Sequence, residues 1–200
     1  MLKKSTTLGM TFCALMGMTV LLSPAQAEDS KEKHGHADHD HAHAPMFTEG
    51  VVVLRSTKGN KVRGRLTLKQ TKSGVRVTGR VTGLTPGEHG FHIHEFGDLR
   101  AADGTAAGGH YNPDGHDHGA PGDHERHAGD LGNITADSEG VSKVDITQKD
   151  LKLHFVIGRS IVVHAGKDDL KSQPSGDAGP RVAVGVIGIA QPAKKKMKKN

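Results

Sequence analysis

The chain has 200 residues, with 27 Lys and Arg against 22 Asp and Glu, 15 His, 27 Gly and one Cys; 34% of it is hydrophobic and 3% aromatic. That length accommodates one domain with extensions at its ends. The formal charge of +5 is too modest to point to nucleic acid by itself, and a single cysteine excludes a disulfide framework.

Met1-Leu2-Lys3-Lys4 is followed by an apolar run over 8–22 and then by Ser23-Pro24-Ala25-Gln26-Ala27. A basic start, a short apolar stretch and an Ala-x-Ala site make residues 1–27 a secretory signal peptide, with the mature chain beginning at Glu28. The run is short for a membrane span. No lipobox-like sequence precedes Cys13, and cleavage removes this only cysteine. The mature chain is then cysteine-free, with 25 basic and 22 acidic residues, a net +3. Export permits disulfides, and this chain uses none, so its core and bound metal must supply the stability.

Residues 28–45 are polar and simple in composition, with His34, His36, His39, His41 and His43 set among Gly, Ala and Asp. Such a segment buries too little apolar surface to fold alone, and its imidazole density suits capture of copper or zinc. From Met46 the pattern changes to short apolar runs separated by Gly-containing turns. Runs are expected at 50–55, 62–68, 75–81, through His92 and His94, and at 131–136, 141–146, 160–164 and 182–189. Eight such runs without a long helical period imply an all-β antiparallel sandwich or barrel, with Val, Ile and Leu forming the core.

The stretch from Phe91 to Asp130 carries the chemistry. His92 and His94 share a strand face, because residues i and i+2 point the same way, and two side-by-side imidazoles chelate metal. His110, His116, His118, His124, His127 and Asp130 follow in a segment rich in Gly, Pro, Asp and Asn, which reads as loop. Two metal sites close together are the natural consequence. His89 and His154 read as structural or solvated.

Five blocks make the pattern specific: Gly90-Phe91-His92-Ile93-His94-Glu95-Phe96-Gly97-Asp98, Gly109-His110-Tyr111-Asn112-Pro113, and Glu125-Arg126-His127-Ala128-Gly129-Asp130-Leu131-Gly132-Asn133, then Gly158 to His164 and Gly179 to Ala190. In order and spacing, over about 47–190, they resemble the copper–zinc superoxide dismutase family. The resemblance implies an eight-stranded Greek-key barrel of the immunoglobulin-like sandwich kind, with long metal-binding and active-site loops. It assigns copper to His92, His94, His110 and His164, and zinc to His110, His118, His127 and Asp130. His110 would bridge the two metals, and His116 and His124 would be surface residues. Asp168 would link a copper histidine to a zinc histidine, with Asp169 as its immediate rival. Arg181 would attract and orient the anionic substrate, superoxide, beside copper. The implied reaction is disproportionation of superoxide to oxygen and hydrogen peroxide by copper redox cycling, with His110 as proton carrier.

Three departures follow from the same comparison. The family ties the loop after the His-x-His strand to the last strand by a disulfide, and the matching positions here are Gly104 and Val184. Folding should therefore depend more on metal, and the homodimer that this loop helps to form is put in question. Residues 165–180 are short and carry mixed charge, which weakens steering. The tail, residues 191–200, holds five lysines in 194–199 and could contact anionic surfaces. The rival reading from another class is an exported copper- and zinc-binding protein that buffers or delivers metal without turnover.

Overall fold

Runs in which Val, Leu and Ile alternate with Arg, Lys and Thr form eight antiparallel strands in a computed structural model that describes residues 47–192. The expected signal peptide, the His-rich extension and the tail lysines lie outside the described residues, which all belong to the unit His43–Asn200. The strands are β1 (Glu49–Ser56), β2 (Arg63–Thr71), β3 (Gly74–Thr82), β4 (Gly87–His94), β5 (Asp130–Ala136), β6 (Val141–Lys149), β7 (Ser160–His164) and β8 (Arg181–Ile189). They are hydrogen-bonded in the order β5-β4-β7-β8-β1-β2-β3-β6. The end strands β5 and β6 approach each other without a ladder, which leaves the barrel nearly closed. All eight expected runs are strands. A single-turn helix, α1 (Leu153–Val156), has no expected counterpart, since four residues give no helical period.

Period-2 alternation explains the core. Val52 and Leu54 of β1, Leu66 and Leu68 of β2, Val75 and Val77 of β3 and Ile161 and Val163 of β7 are all buried inside. Each such side chain contributes about 1.5–3 kcal/mol by leaving water. Strand β4 departs from the alternation, because every residue from His89 to His94 is buried. Phe91 and Ile93 enter the core, whereas His92 and His94 point to the other face and are covered by loops.

The loop after β4 is pinned at several points without a covalent bond. Lys58 donates its backbone N–H to Ala102 O at 2.7 Å, and Ser160 Oγ donates to Phe96 O at 2.7 Å. Arg159 Nη1 donates to Glu95 O at 2.7 Å. Arg181 donates from Nη1 to Gly104 O and from Nη2 to Gly108 O. Val184 packs with Ala107 and Val162 in a small apolar cluster separate from the main core. At Gly104 and Val184, the positions that match the family's disulfide, a guanidinium clamp and an apolar contact hold loop to strand.

Ile161 is completely buried. Ile161→Ala should destabilise the protein by about 2–5 kcal/mol in denaturant titrations, through lost burial and the cavity left behind. A loss below about 1 kcal/mol would place Ile161 outside the cooperative core.

Candidate metal centre

Strand β4 supplies His92 and His94, β7 supplies His164, and the first residue of β5 supplies Asp130. His110, His118 and His127 come from the connection between β4 and β5. His110 is anchored there by an isolated bridge to His94. Register shifts interrupt the ladders between Gly90 and His92 and between Val163 and His164, and such irregularities re-aim side chains.

These residues converge as two sets of four. Ligand atoms of His92, His94, His110 and His164 lie within 4.8 Å of one another, as do those of His110, His118, His127 and Asp130. His110 belongs to both sets. Its Nδ1 faces Asp130 Oδ1 at 2.8 Å, and its Nε2 has no partner in the protein. The rings of His92 and His110 stack with centroids 3.9 Å apart. His116 is half-exposed and His124 exposed, and neither joins a set. His89 is buried and structural: its Nδ1 pairs with His164 O at 2.9 Å and its Nε2 with Thr85 O at 2.8 Å.

The outward ring nitrogens decide what the inward ones can do. His94 Nδ1 pairs with Gly108 O at 2.9 Å and His164 Nδ1 with Gly179 O at 2.8 Å. A carbonyl only accepts, so each Nδ1 carries the proton and each Nε2 keeps its lone pair. His92 Nε2 and His118 Nε2 both pair with Asp168, at 2.8 and 2.9 Å, which leaves each Nδ1 facing inward. Two buried nitrogens, His92 Nδ1 and His110 Nε2, have no hydrogen-bond partner, and His118 Nδ1 faces only the Asp130 carboxylate at 3.1 Å. Each such orphan costs about 1–3 kcal/mol unless something fills it. Aligned lone pairs with this cost are what a cation relieves, so the residues fit bound metal. Four imidazoles suit Cu(II), and three imidazoles with a carboxylate suit a closed Zn(II) site.

The surrounding field favours neutral rings on the copper side and a protonated His118 that metal must displace. Burial pushes His92 down to about 4 and His164 to about 3, and holds His94 well below its usual range, so all three are neutral donors near neutral pH. Burial also opposes charge on His118, but Asp130 and Asp168 outweigh it and raise this group to about 9. Burial opposes ionisation of Asp130 and Asp168 as well, yet their histidine hydrogen bonds hold both carboxyls below the usual range.

Asp168 is fully buried and joins the two sets, whereas Asp169 is exposed and caps a local turn through Lys171 N and Ser172 N. Arg181 is half-buried, and the carbonyl of Gly108 accepts from both Arg181 Nη2 and His94 Nδ1. The guanidinium is thereby fixed to the frame that orients His94. Several supports escaped the sequence reading. Asn133 clamps the backbone of Asp168 with two 2.8 Å bonds, and Gln173 does the same for His118 at 2.8 and 2.9 Å. Gly176 has φ +67°, and a Cβ there would fall 1.8 Å from Asp168 Oδ1, so only glycine fits. Spacing gives no signal for these, because Asn133 and Gln173 act on segments 35 and 55 residues away and Gly176 acts only by leaving room.

Residues 62–187 match the family model described as copper/zinc superoxide dismutase. The chain is 48% identical over 140 residues to superoxide dismutase [Cu-Zn] 2 of Mesembryanthemum crystallinum, covering 65% of this chain and 89% of that one. It is 47% identical over 154 residues to extracellular superoxide dismutase [Cu-Zn] of Onchocerca volvulus and 42% over 152 to that of Brugia pahangi, each covering 70% of this chain and 75% of the relative. The crystal structure of the clock protein EA4 superposes with a TM-score of 0.68 at 40% identity, covering 75% of this chain and 99% of that one.

Two outcomes are expected. The unfolded chain binds protons at His92 and His164 that the folded metal-free protein refuses, so stability should fall as pH drops from about 6.5 toward about 4. Urea midpoints of metal-free protein that stay flat over this window would contradict the buried, neutral state. Asp168→Ala should weaken copper and zinc binding about 10–100-fold in chelator competition, and unchanged affinity for both would deny its orienting role.

Proposed function

The chain belongs to the copper/zinc superoxide dismutase family, and we propose that its two histidine sets are the copper and zinc sites of that enzyme. The protein is a superoxide dismutase with copper and zinc as cofactors. It converts two superoxide anions and two protons into oxygen and hydrogen peroxide. The observation that carries the assignment of residues is the sharing of His110 between two buried four-ligand sets. His92, His94, His110 and His164 hold copper; His110, His118, His127 and Asp130 hold zinc.

When bound, copper supplies one-electron oxidation and reduction in turn, and zinc supplies fixed positive charge. The protein's own residues do the rest. Arg181 offers a guanidinium whose position is set by two carbonyls, so it attracts and orients an anion without first having to be ordered. His110 Nε2, which has no partner in the protein, would take up a proton when it is not held by copper and pass it on, while Nδ1 keeps the ring on the Asp130 side. Asp168 keeps His92 and His118 in the tautomers that metal binding requires.

The protein is exported, as its extracellular relatives are named, and the sequence of residues 1–27 supports delivery by a cleaved signal peptide to the periplasm. Residues 28–45 then form a metal-capturing extension, 46–190 the catalytic domain, and 191–200 a lysine tail that contacts anionic surfaces. Exposed Val51, Phe96 and Ile189 support a homodimer, which sedimentation at micromolar concentration tests. A monomer there would leave these side chains without a partner.

The mature protein loaded with one copper and one zinc should dismutate superoxide rapidly. His164→Ala should abolish the rate, and Arg181→Ala should lower it at least tenfold with metal content unchanged. Full loading of both metals with turnover no faster than that of unbound copper would leave a metal-binding protein without this activity.

A further inference from the structure

The outward face of β1, β2, β3 and β6 carries its own charge pattern, on strands that hold no metal ligand. At one end its cations are matched: Lys69 pairs with Glu49 at 3.4 Å, and Arg76 holds Asp145 through two bonds of 2.8 and 2.7 Å. At the other end they are not. Arg65 lies directly opposite Arg80 in the β2–β3 ladder, and Arg80 lies directly opposite Lys143 in the β3–β6 ladder. Arg55 and Arg63 project from the same face. None of the five forms an ion pair among the described residues.

Directly opposed side chains stand about 5 Å apart, and like charges at that distance destabilise a sheet. Arg80, flanked by cations on both sides, bears the largest share. Arg55, Arg63, Arg65 and Arg80 also line a furrow of about 780 Å³, together with Val53, Gly64 and Thr82. An unrelieved cationic ladder around a concave surface is the complement of an extended anion.

We propose that this furrow binds a linear anionic polysaccharide, a chain of sugars bearing sulfate or carboxylate groups. The spacing supports a polymer, because the cations recur at about 5 Å across four strands, with Arg63 and Arg65 about 7 Å apart along β2, and do not converge on one point. Guanidinium forks pair with sulfate and carboxylate in two parallel bonds. Thr82, on the same face of β3 as Arg80, suits a sugar hydroxyl. No aromatic side chain projects from this face, so bases of single-stranded nucleic acid would find nothing to stack on. This surface operates independently of the dismutase reaction and fixes the enzyme where such polymers occur.

The test uses the full mature protein loaded with copper and zinc, a heparin-derived oligosaccharide as probe, neutral dextran as control, and calorimetry at several salt concentrations. The parent should bind heparin and not dextran. Arg65→Gln combined with Arg80→Gln should weaken binding at least tenfold and reduce the slope of log affinity against log salt by about two, one for each cation removed. Its dismutation rate should equal that of the parent. A second variant with Lys194, Lys195, Lys196, Lys198 and Lys199 replaced by Gln should keep most of the affinity. The proposal is overturned if the double arginine variant binds within twofold of the parent. Tighter binding to single-stranded DNA of equal charge, or to vesicles rich in phosphatidylserine, also overturns it.

Discussion

A buried carboxylate lies at the junction of the two halves of the metal centre. Asp168 accepts from His92 on a barrel strand and from His118 on the long loop, and its own backbone is clamped by Asn133 of β5. Removing a charge from water costs several kcal/mol unless it is well paired. Here the Asp168 side chain is offset by two histidines and by Leu170 N–H at 2.7 Å, and the absence of a Cβ on Gly176 leaves room for it. The carboxylate therefore holds only one arrangement of strand and loops. That arrangement sets which ring nitrogen of each histidine turns inward, and the inward lone pairs define where metal sits.

The second constraint is the anchoring of the loop after β4 without a disulfide. The Arg181 guanidinium does two things at once. It fastens Gly104 and Gly108 to the start of β8, and it stays charged beside the set formed by His94 and His164. Burial lowers its pKa and Asp103 partly offsets this, but an arginine remains protonated in that setting. Because Gly108 O also orients His94, loop position, the placing of the Arg181 guanidinium and the orientation of the His94 ring are one connected system. Disturbing any member reaches the others through bonds of less than 3 Å.

Much of this was legible from the residues alone. The strands follow from alternation broken by glycine turns, and observed boundaries lie within a few residues of the expected ones because Lys58-Gly59, Ser73-Gly74 and Glu139-Gly140 fix the turns. His92 and His94 follow from period two. Separating His118 and His127 from His116 and His124 required the family resemblance, since all four share one loop and composition cannot rank them. Asn133, Gln173 and Gly176 were illegible because they act between segments 35 and 55 residues apart or by leaving room. The arginine ladder was illegible too: Arg65, Arg80 and Lys143 become neighbours only through strand register.

The central claim is that His110 belongs to both metal sites, so the most direct measurement is the copper(II) electron paramagnetic resonance spectrum of the mature protein before and after zinc is added. Shared occupancy of the His110 ring predicts that zinc changes the copper hyperfine pattern, and that His110→Gln removes this response while copper stays bound. A copper spectrum indifferent to zinc would show two separate sites and contradict the account.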